Sequence, residues 1–303
     1  MMSALKQMRT NKALRNREIA GYLFAMPAIL GFLVYCITPI LLSLRYSLSD
    51  FSVFKKEIEF IGLANYRRLF SGTDPLFWKS IQATVLYVVL NVPFTMVVSY
   101  ILALLLNKNI KGRGFLRGVF YMPSIVPAVA ACMIWQYLVN YDMGIFNGIL
   151  KSLGLPKLKF LTSTTTVIPT LVMTNLWNCG GPMVIYLASL QNIPRHYYES
   201  IEVDGGNGWH KLRYITIPLS TPIIFYNTLM CTISSFQEFT KAYILTDGGP
   251  DNSSRFICYY IYTEAFQNAR MANACALGWV LFLMTGAFSI MYFRMQNKWV
   301  NYV

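Results

Sequence analysis

The chain has 303 residues, 55% of them hydrophobic and 13% charged, with a mean hydropathy of +0.43. Ordinary soluble domains carry about 25% charged residues, so this composition excludes a soluble enzyme and calls for a lipid environment. The formal net charge of +13 would suit a phosphate backbone, but the cations are scattered among segments that flank apolar runs, where Lys and Arg meet anionic lipid headgroups, so membrane lipid and no nucleic acid is expected.

Uncharged stretches occupy 19–44, 80–107, 118–141, 160–194, 214–237 and 271–293. Each exceeds the ~20 residues that carry a helix across ~30 Å of hydrocarbon. The pattern predicts an all-α, polytopic membrane protein: a cytoplasmic N-terminal segment 1–18, then one domain of six transmembrane helices over 19–297. Lys6, Arg9, Lys12, Arg15 and Arg17 precede the first run, as in a signal peptide, but that run is too long for a signal core and more spans follow, so it reads as an uncleaved helix. Six spans put both termini on one side. Lys108, Lys111, Arg113 and Arg117, with no acid nearby, make that side the cytoplasm.

Between the spans, 49–76 mixes polar and aromatic residues around Asn65 and suggests a short helix on the outer surface. In 140–165, Pro156 and the run Thr162 to Thr166 argue against helix, and Thr246-Asp-Gly-Gly-Pro250 is a turn that should end the fifth span. Kinks are expected at Pro27, Pro39, Pro93, Pro123 and Pro127. The six cysteines lie mainly in apolar stretches without a C-x-x-C pair, and His196 and His210 have no metal-ligand spacing, so neither a metal site nor a disulfide framework is suggested.

Polar residues inside spans are expensive unless they pair or face water. Asn175 and Asn178 lie one turn apart in the fourth stretch beside Thr174 and Trp177; Gln237, Glu238 and Lys241 cluster at the end of the fifth. These supply a candidate solute path, with Asn175, Trp177, Asn178, Gln237 and Glu238 as its residues and Trp135, Phe239 and Tyr243 as further aromatic faces. Interhelical bonding of the amides and an intrahelical Glu238–Lys241 pair are the plainer alternatives.

The most specific signal is the polar insert 194–218. Glu199, Gly205, Ile215 and Pro218 fall in register with E-A-A-x3-G-x9-I-x-L-P, the coupling-loop pattern of ATP-binding-cassette importer permeases, from which Ser200, Ile201 and Ile217 depart. Background residue usage gives such a four-position match by chance about once in 10^5 starts; the competing reading is an amphipathic helix with Tyr197, Tyr198, Trp209 and Tyr214 in the headgroup layer. Further segments resemble the carbohydrate-uptake branch of that family: Gly62-Leu-Ala-Asn65, Gly114-Phe-Leu-Arg117 with Tyr121-Met-Pro123, Gly144-Ile-Phe-Asn147, Ala188-Ser-Leu-Gln191 and Leu245 to Pro250.

The resemblance implies a type I importer permease fold in a prokaryotic cell membrane and a non-catalytic role. It implies a second homologous permease subunit, two cytoplasmic ATPase subunits that bind ATP and Mg, an extracytoplasmic solute-binding protein and a sugar as cargo. It also assigns Glu199 to contact with the ATPase and Gly205 to the bend, with Asp204, Ile215 and Pro218 in the same coupling loop. Independently, the chain lacks any Gly-Lys dipeptide and so the G-x4-G-K-[ST] phosphate loop. Pro194 is expected to open the helix through Glu199, and Pro218 with Pro222 to end the loop. An importer for another solute is the nearest alternative; a secondary transporter is less favoured, because no inverted repeat is visible.

Overall fold

The computed structural model describes residues 18–52 and 58–301. The basic N-terminal segment lies outside them except for Glu18. Among the described residues, three helices are long and apolar enough to span a membrane singly: α1 (Glu18–Ser47), α3 (Pro75–Asn107) and α13 (Met271–Gln296). They differ in role. Of the most apolar part of α3, 39% is buried within the chain, against 28% for α13 and 0% for α1, so α3 is the centre of the bundle and α1 its outermost member.

Two of the other three apolar stretches are interrupted, which corrects the expectation of six continuous spans. In 118–141, α4 (Arg113–Tyr121) passes through a 3-10 turn at Met122–Ile125 and meets α5 (Ala128–Leu138) at a bend of 100°. Pro123 and Pro127 explain it, since each lacks a donor and disfavours helical backbone in the preceding residue. The stretch 160–194 divides into α7 (Val167–Leu176) and α8 (Gly180–Gln191), whereas 214–237 stays helical, its main helix running over Ile217–Phe236. Prolines elsewhere are absorbed. Helix α1 runs through Pro27 and α3 through Pro93, and Pro39 follows a widened π-turn at Leu33–Ile37.

Outside the bundle, α2 (Ala64–Phe70) is the expected short helix, and beside it Ser49–Asp50 pairs antiparallel with Glu59–Phe60 in a two-stranded ribbon that the sequence reading lacked. Asn65 joins α2 to the end of α1, donating to the Ser47 and Ser49 carbonyls at 2.9 and 3.0 Å. Helix α6 (Ile145–Ser152) corrects the expectation of no helix in 140–165, because Pro156 lies beyond its end, while Thr162 to Thr166 stay non-helical. Thr246 to Pro250 closes a separate π-turn, Ala242–Thr246, rather than the fifth span, because the helix has already broken at Gln237. Then α12 (Ile257–Tyr262) leads through Thr263–Gln267 into α13.

Packing follows from α3. It contacts α7, α8 and the helix Ile217–Phe236, while α13 packs on α1 and α12. One face of α3 buries Ser80, Thr84, Asn91, Thr95 and Ser99, spaced so that they form a stripe along the helix. The stripe bonds outward: the Ile257 N–H donates to Thr84 Oγ1 at 2.9 Å and Ser99 Oγ donates to the Cys179 carbonyl at 3.0 Å.

Candidate functional site

Two helix breaks create the site. Leu176 ends α7 and Gly180 opens α8, leaving Trp177–Cys179 irregular where the sequence predicted mid-span helix. Gly180-Gly181-Pro182 causes the break, because Pro182 cannot continue a helix yet is harmless in the first turn of a new one. Close approach fixes the first glycine: a Cβ at Gly180 would lie 2.2 Å from the Phe120 carbonyl oxygen and 2.8 Å from Tyr121 Cα. The second break separates Phe236 from Ala242, with Gln237 capping the helix it ends. Irregular backbone at membrane depth is tolerated where it is buried in protein or lines a cavity. Here a cavity of about 210 Å³ sits between the breaks, walled by Trp135, Asn175, Trp177, Glu238 and Lys241.

A continuous polar network crosses this wall. Lys241 Nζ donates to Glu238 Oε2 at 2.6 Å, to Asn175 Oδ1 at 2.9 Å and to Tyr87 Oη at 3.2 Å. Asn175 Nδ2 donates to Asn91 Oδ1 at 2.9 Å and Thr95 Oγ1 at 3.3 Å, and Asn91 Nδ2 to Ser235 Oγ at 2.8 Å. The Lys241 and Glu238 side chains are only 12% and 16% exposed. A pair so far removed from water pays a desolvation penalty that its Coulomb attraction offsets only when the remaining donors and acceptors are satisfied, as the Asn175 amide and the Tyr87 phenol do for Lys241. The Trp135 and Trp177 rings meet edge to face at 5.5 Å, and both indole N–H groups are buried without a protein acceptor. An unmade buried hydrogen bond costs about 1–3 kcal/mol, so these two donors are a local cost carried at the cavity wall.

Of the predicted path residues, Asn175, Trp177, Asn178 and Glu238 line the cavity; Gln237 is exposed and does not. The Glu238–Lys241 pair exists, at spacing i,i+3, but it spans the break rather than lying along one helix. Trp135 lines the cavity, whereas Phe239 and Tyr243 stack on each other at 5.3 Å and on Tyr262 outside its lining. Sequence reasoning missed Tyr87, Asn91 and Ser235. Their signal was present: Tyr87, Asn91 and Thr95 repeat every fourth residue in an otherwise apolar stretch, the spacing of a single helix face.

The second candidate is the loop 194–218. Pro194 is the N-cap of α9 (Arg195–Val203) rather than its first residue. Gly205 ends the turn with φ +76°, in the left-handed region that only glycine adopts without cost, and the Gly206 N–H returns to the Ile201 carbonyl at 2.8 Å. Gly206 is needed for space: a Cβ there would come within 2.4 Å of Ile201 Cγ2. Asn207 then caps α10 (Gly208–Lys211), its side chain accepting from the N–H groups of Trp209 and His210. Pro218 and Pro222 do not end the loop at a helix boundary, because α10 continues through a π-turn at Leu212–Thr216 into α11 (Ile217–Phe236). Lys211 pairs with Glu202, and Tyr198 Oη meets Thr216 Oγ1 at 3.1 Å, joining the two arms. Ile215 is buried between them and the bundle, while Glu199, Asp204 and Gly205 are exposed.

Apolar helices around a partly open cavity lined by polar and aromatic side chains, with a short helical hairpin between two of them, define a multi-pass membrane permease. The chain belongs to the family of binding-protein-dependent transport system inner membrane components, whose pattern it matches over residues 95–298. It is 35% identical to the Probable ABC transporter permease protein YesP of Bacillus subtilis (strain 168), over 97% of this chain and 96% of that one. It is 32% identical to the Lactose transport system permease protein LacF of Rhizobium radiobacter, covering 92% and 94% respectively. A crystal structure of a bacterial ABC transporter involved in the import of the acidic polysaccharide alginate contains a chain that aligns with a TM-score of 0.81 at 24% identity, covering 95% of this chain and 99% of that one. The type I importer permease fold expected from the sequence is thereby the fold of this chain.

Proposed function

We propose that the chain is the permease subunit of a binding-protein-dependent carbohydrate importer, and that the cavity between the two helix breaks is its solute route. The cavity carries this reading: indole faces, amides and a carboxylate are what a hydroxylated ring needs, and the lactose system among the relatives supports a sugar cargo. The chain pairs with a second, homologous permease and receives sugar from an extracytoplasmic binding protein. Two cytoplasmic ATPase subunits, which bind ATP and Mg, drive it. Both termini face the cytoplasm, and the loop 194–218 meets the ATPases there.

Force enters through Glu199 and the exposed face of α9, turns at Asp204 and Gly205, and passes through Ile215 and Pro218 into α11. Because α10 and α11 form one helix, a push on the loop reaches the Phe236 end of the cavity without a flexible joint. Reconstitution of the four-subunit complex with its binding protein tests the reading by uptake of labelled sugars. ATP-dependent uptake is expected, and Asn175→Ala, which strips Lys241 and Asn91 of a partner, should raise the half-saturating sugar concentration about tenfold or more, from the 1.5–3 kcal/mol of a hydrogen bond to a charged group. Uptake by this chain alone, or a complex that moves only peptides or phosphate, would overturn it.

A further inference from the structure

The charges of the cavity carry a statement about which sugars can use it, one that rests on the proposed solute route. Among the described residues, Lys241 is the single cation in the cavity wall. An ammonium has three hydrogens, and all three are engaged, by Glu238, Asn175 and Tyr87. Asn175 cannot turn away to release one, because its amide nitrogen is bound to Asn91 and Thr95 on α3. Glu238 is held from two directions, accepting from the Lys241 backbone N–H at 3.2 Å through one oxygen and from the ammonium through the other. A carboxylate has about four acceptor positions, so Glu238 keeps room for solute hydroxyl donors. The Trp135 and Trp177 rings supply aromatic surface. Among the described residues, the wall therefore has acceptors and aromatic faces to offer, and no free cation.

We propose that Glu238, by holding Lys241, sets the charge selectivity of this route: it takes uncharged, hydroxyl-rich sugars and rejects sugars that carry a carboxylate. A uronate entering the cavity meets a pair whose charges offset each other and whose ammonium has no hydrogen left to bind it. Its carboxylate must therefore give up water without gaining a charged partner, which is costly away from solvent. A neutral ring meets neither charge unpaired.

The experiment uses the complete purified transporter without its binding protein, so that the binding protein's own preference does not enter. Calorimetric titration compares a neutral disaccharide with the disaccharide of the same linkage in which one hexose is replaced by its uronate. The wild type should favour the neutral sugar by about tenfold or more, the scale expected when a carboxylate loses water without a charged partner in return. Glu238→Gln, which leaves Lys241 as an uncompensated cation, should bring the ratio to about unity or invert it. The double change Glu238→Gln with Lys241→Gln should return the preference toward the neutral sugar, which identifies Lys241 as the group the uronate reaches. Equal affinities in the wild type would overturn the proposal, whatever the variants do. An unmoved ratio in an assembled Glu238→Gln complex that still binds the neutral sugar would overturn the role of Glu238 alone. Binding of neither sugar to the wild type, or binding indifferent to Asn175→Ala and Trp177→Ala, would instead remove the sugar route itself.

Discussion

Three neighbouring glycines in the hairpin do different physical work. Gly205 is needed for its left-handed backbone, Gly206 for lack of a side chain against Ile201, and Gly208 for neither, since a Cβ there meets nothing within 4 Å. Gly205→Ala should cost about 1–2 kcal/mol, the penalty of left-handed backbone for a residue with a Cβ. Gly206→Ala forces the Ile201 side chain and carbonyl apart and should disturb the hairpin more. Gly208→Ala should be silent. Stimulation of ATP hydrolysis by the loaded binding protein reads the series, with order Gly208 mildest and Gly206 most severe; Glu199→Lys, on the exposed face of α9, should reduce stimulation while leaving the hairpin folded. The register of Glu199, Gly205, Ile215 and Pro218 was legible because fixed backbone geometry demands particular residues at fixed spacing. Lys241 reaching Tyr87 was not, because partners 154 positions apart leave no local trace.

At the scale of elements, hydropathy located the apolar stretches but could not say where helices stop inside them. Stretch 160–194 is apolar throughout, yet it folds as two helices because Gly180-Gly181-Pro182 favours a new start there. The prolines mark trouble in the ladder without specifying the remedy: a 100° bend after Pro123, nothing beyond continuous helix at Pro93, and a π-turn just ahead of Pro39 and of Pro218. Neighbouring helices decide among these, since they determine which freed carbonyls find other partners. The seat of α8 gives a matched test. Gly180→Ala places a methyl against the Phe120 and Tyr121 backbone, which cannot yield as a side chain does, whereas a Cβ at Gly181 meets nothing within 4 Å. Gly180→Ala should lower the melting temperature of the purified complex by several degrees, in keeping with an overpacking cost of about 1–3 kcal/mol, and weaken uptake; Gly181→Ala should do neither.

For the whole molecule, composition alone was enough to choose the solvent, and the polar exceptions to it mark where the molecule works. Along α1 the large apolar side chains face outward, so that helix completes its burial against lipid or another subunit rather than against its own chain. The hairpin and the bundle meet in one uninterrupted rod from Gly208 to Phe236, broken in pitch only by the π-turn at Leu212–Thr216. A π-turn holds one residue more than an α-turn, and an α-helix advances about 100° per residue. The extra residue is therefore taken up inside that one turn, and the two ends of the rod keep the phase of a plain α-helix. Removing one residue from 212–216 would let the rod close to plain α and leave Trp209 and Lys211 facing as they do now. One residue inserted after Pro218, in plain α-helix, has no such slack and would swing them about 100° around the axis. Lys211 would then lose Glu202, an exposed pair worth little in itself, and α9 would point in the wrong direction. The deletion should keep hydrolysis and uptake coupled, whereas the insertion should assemble normally while the two run independently of one another, because the rod would still transmit force, aimed past its target.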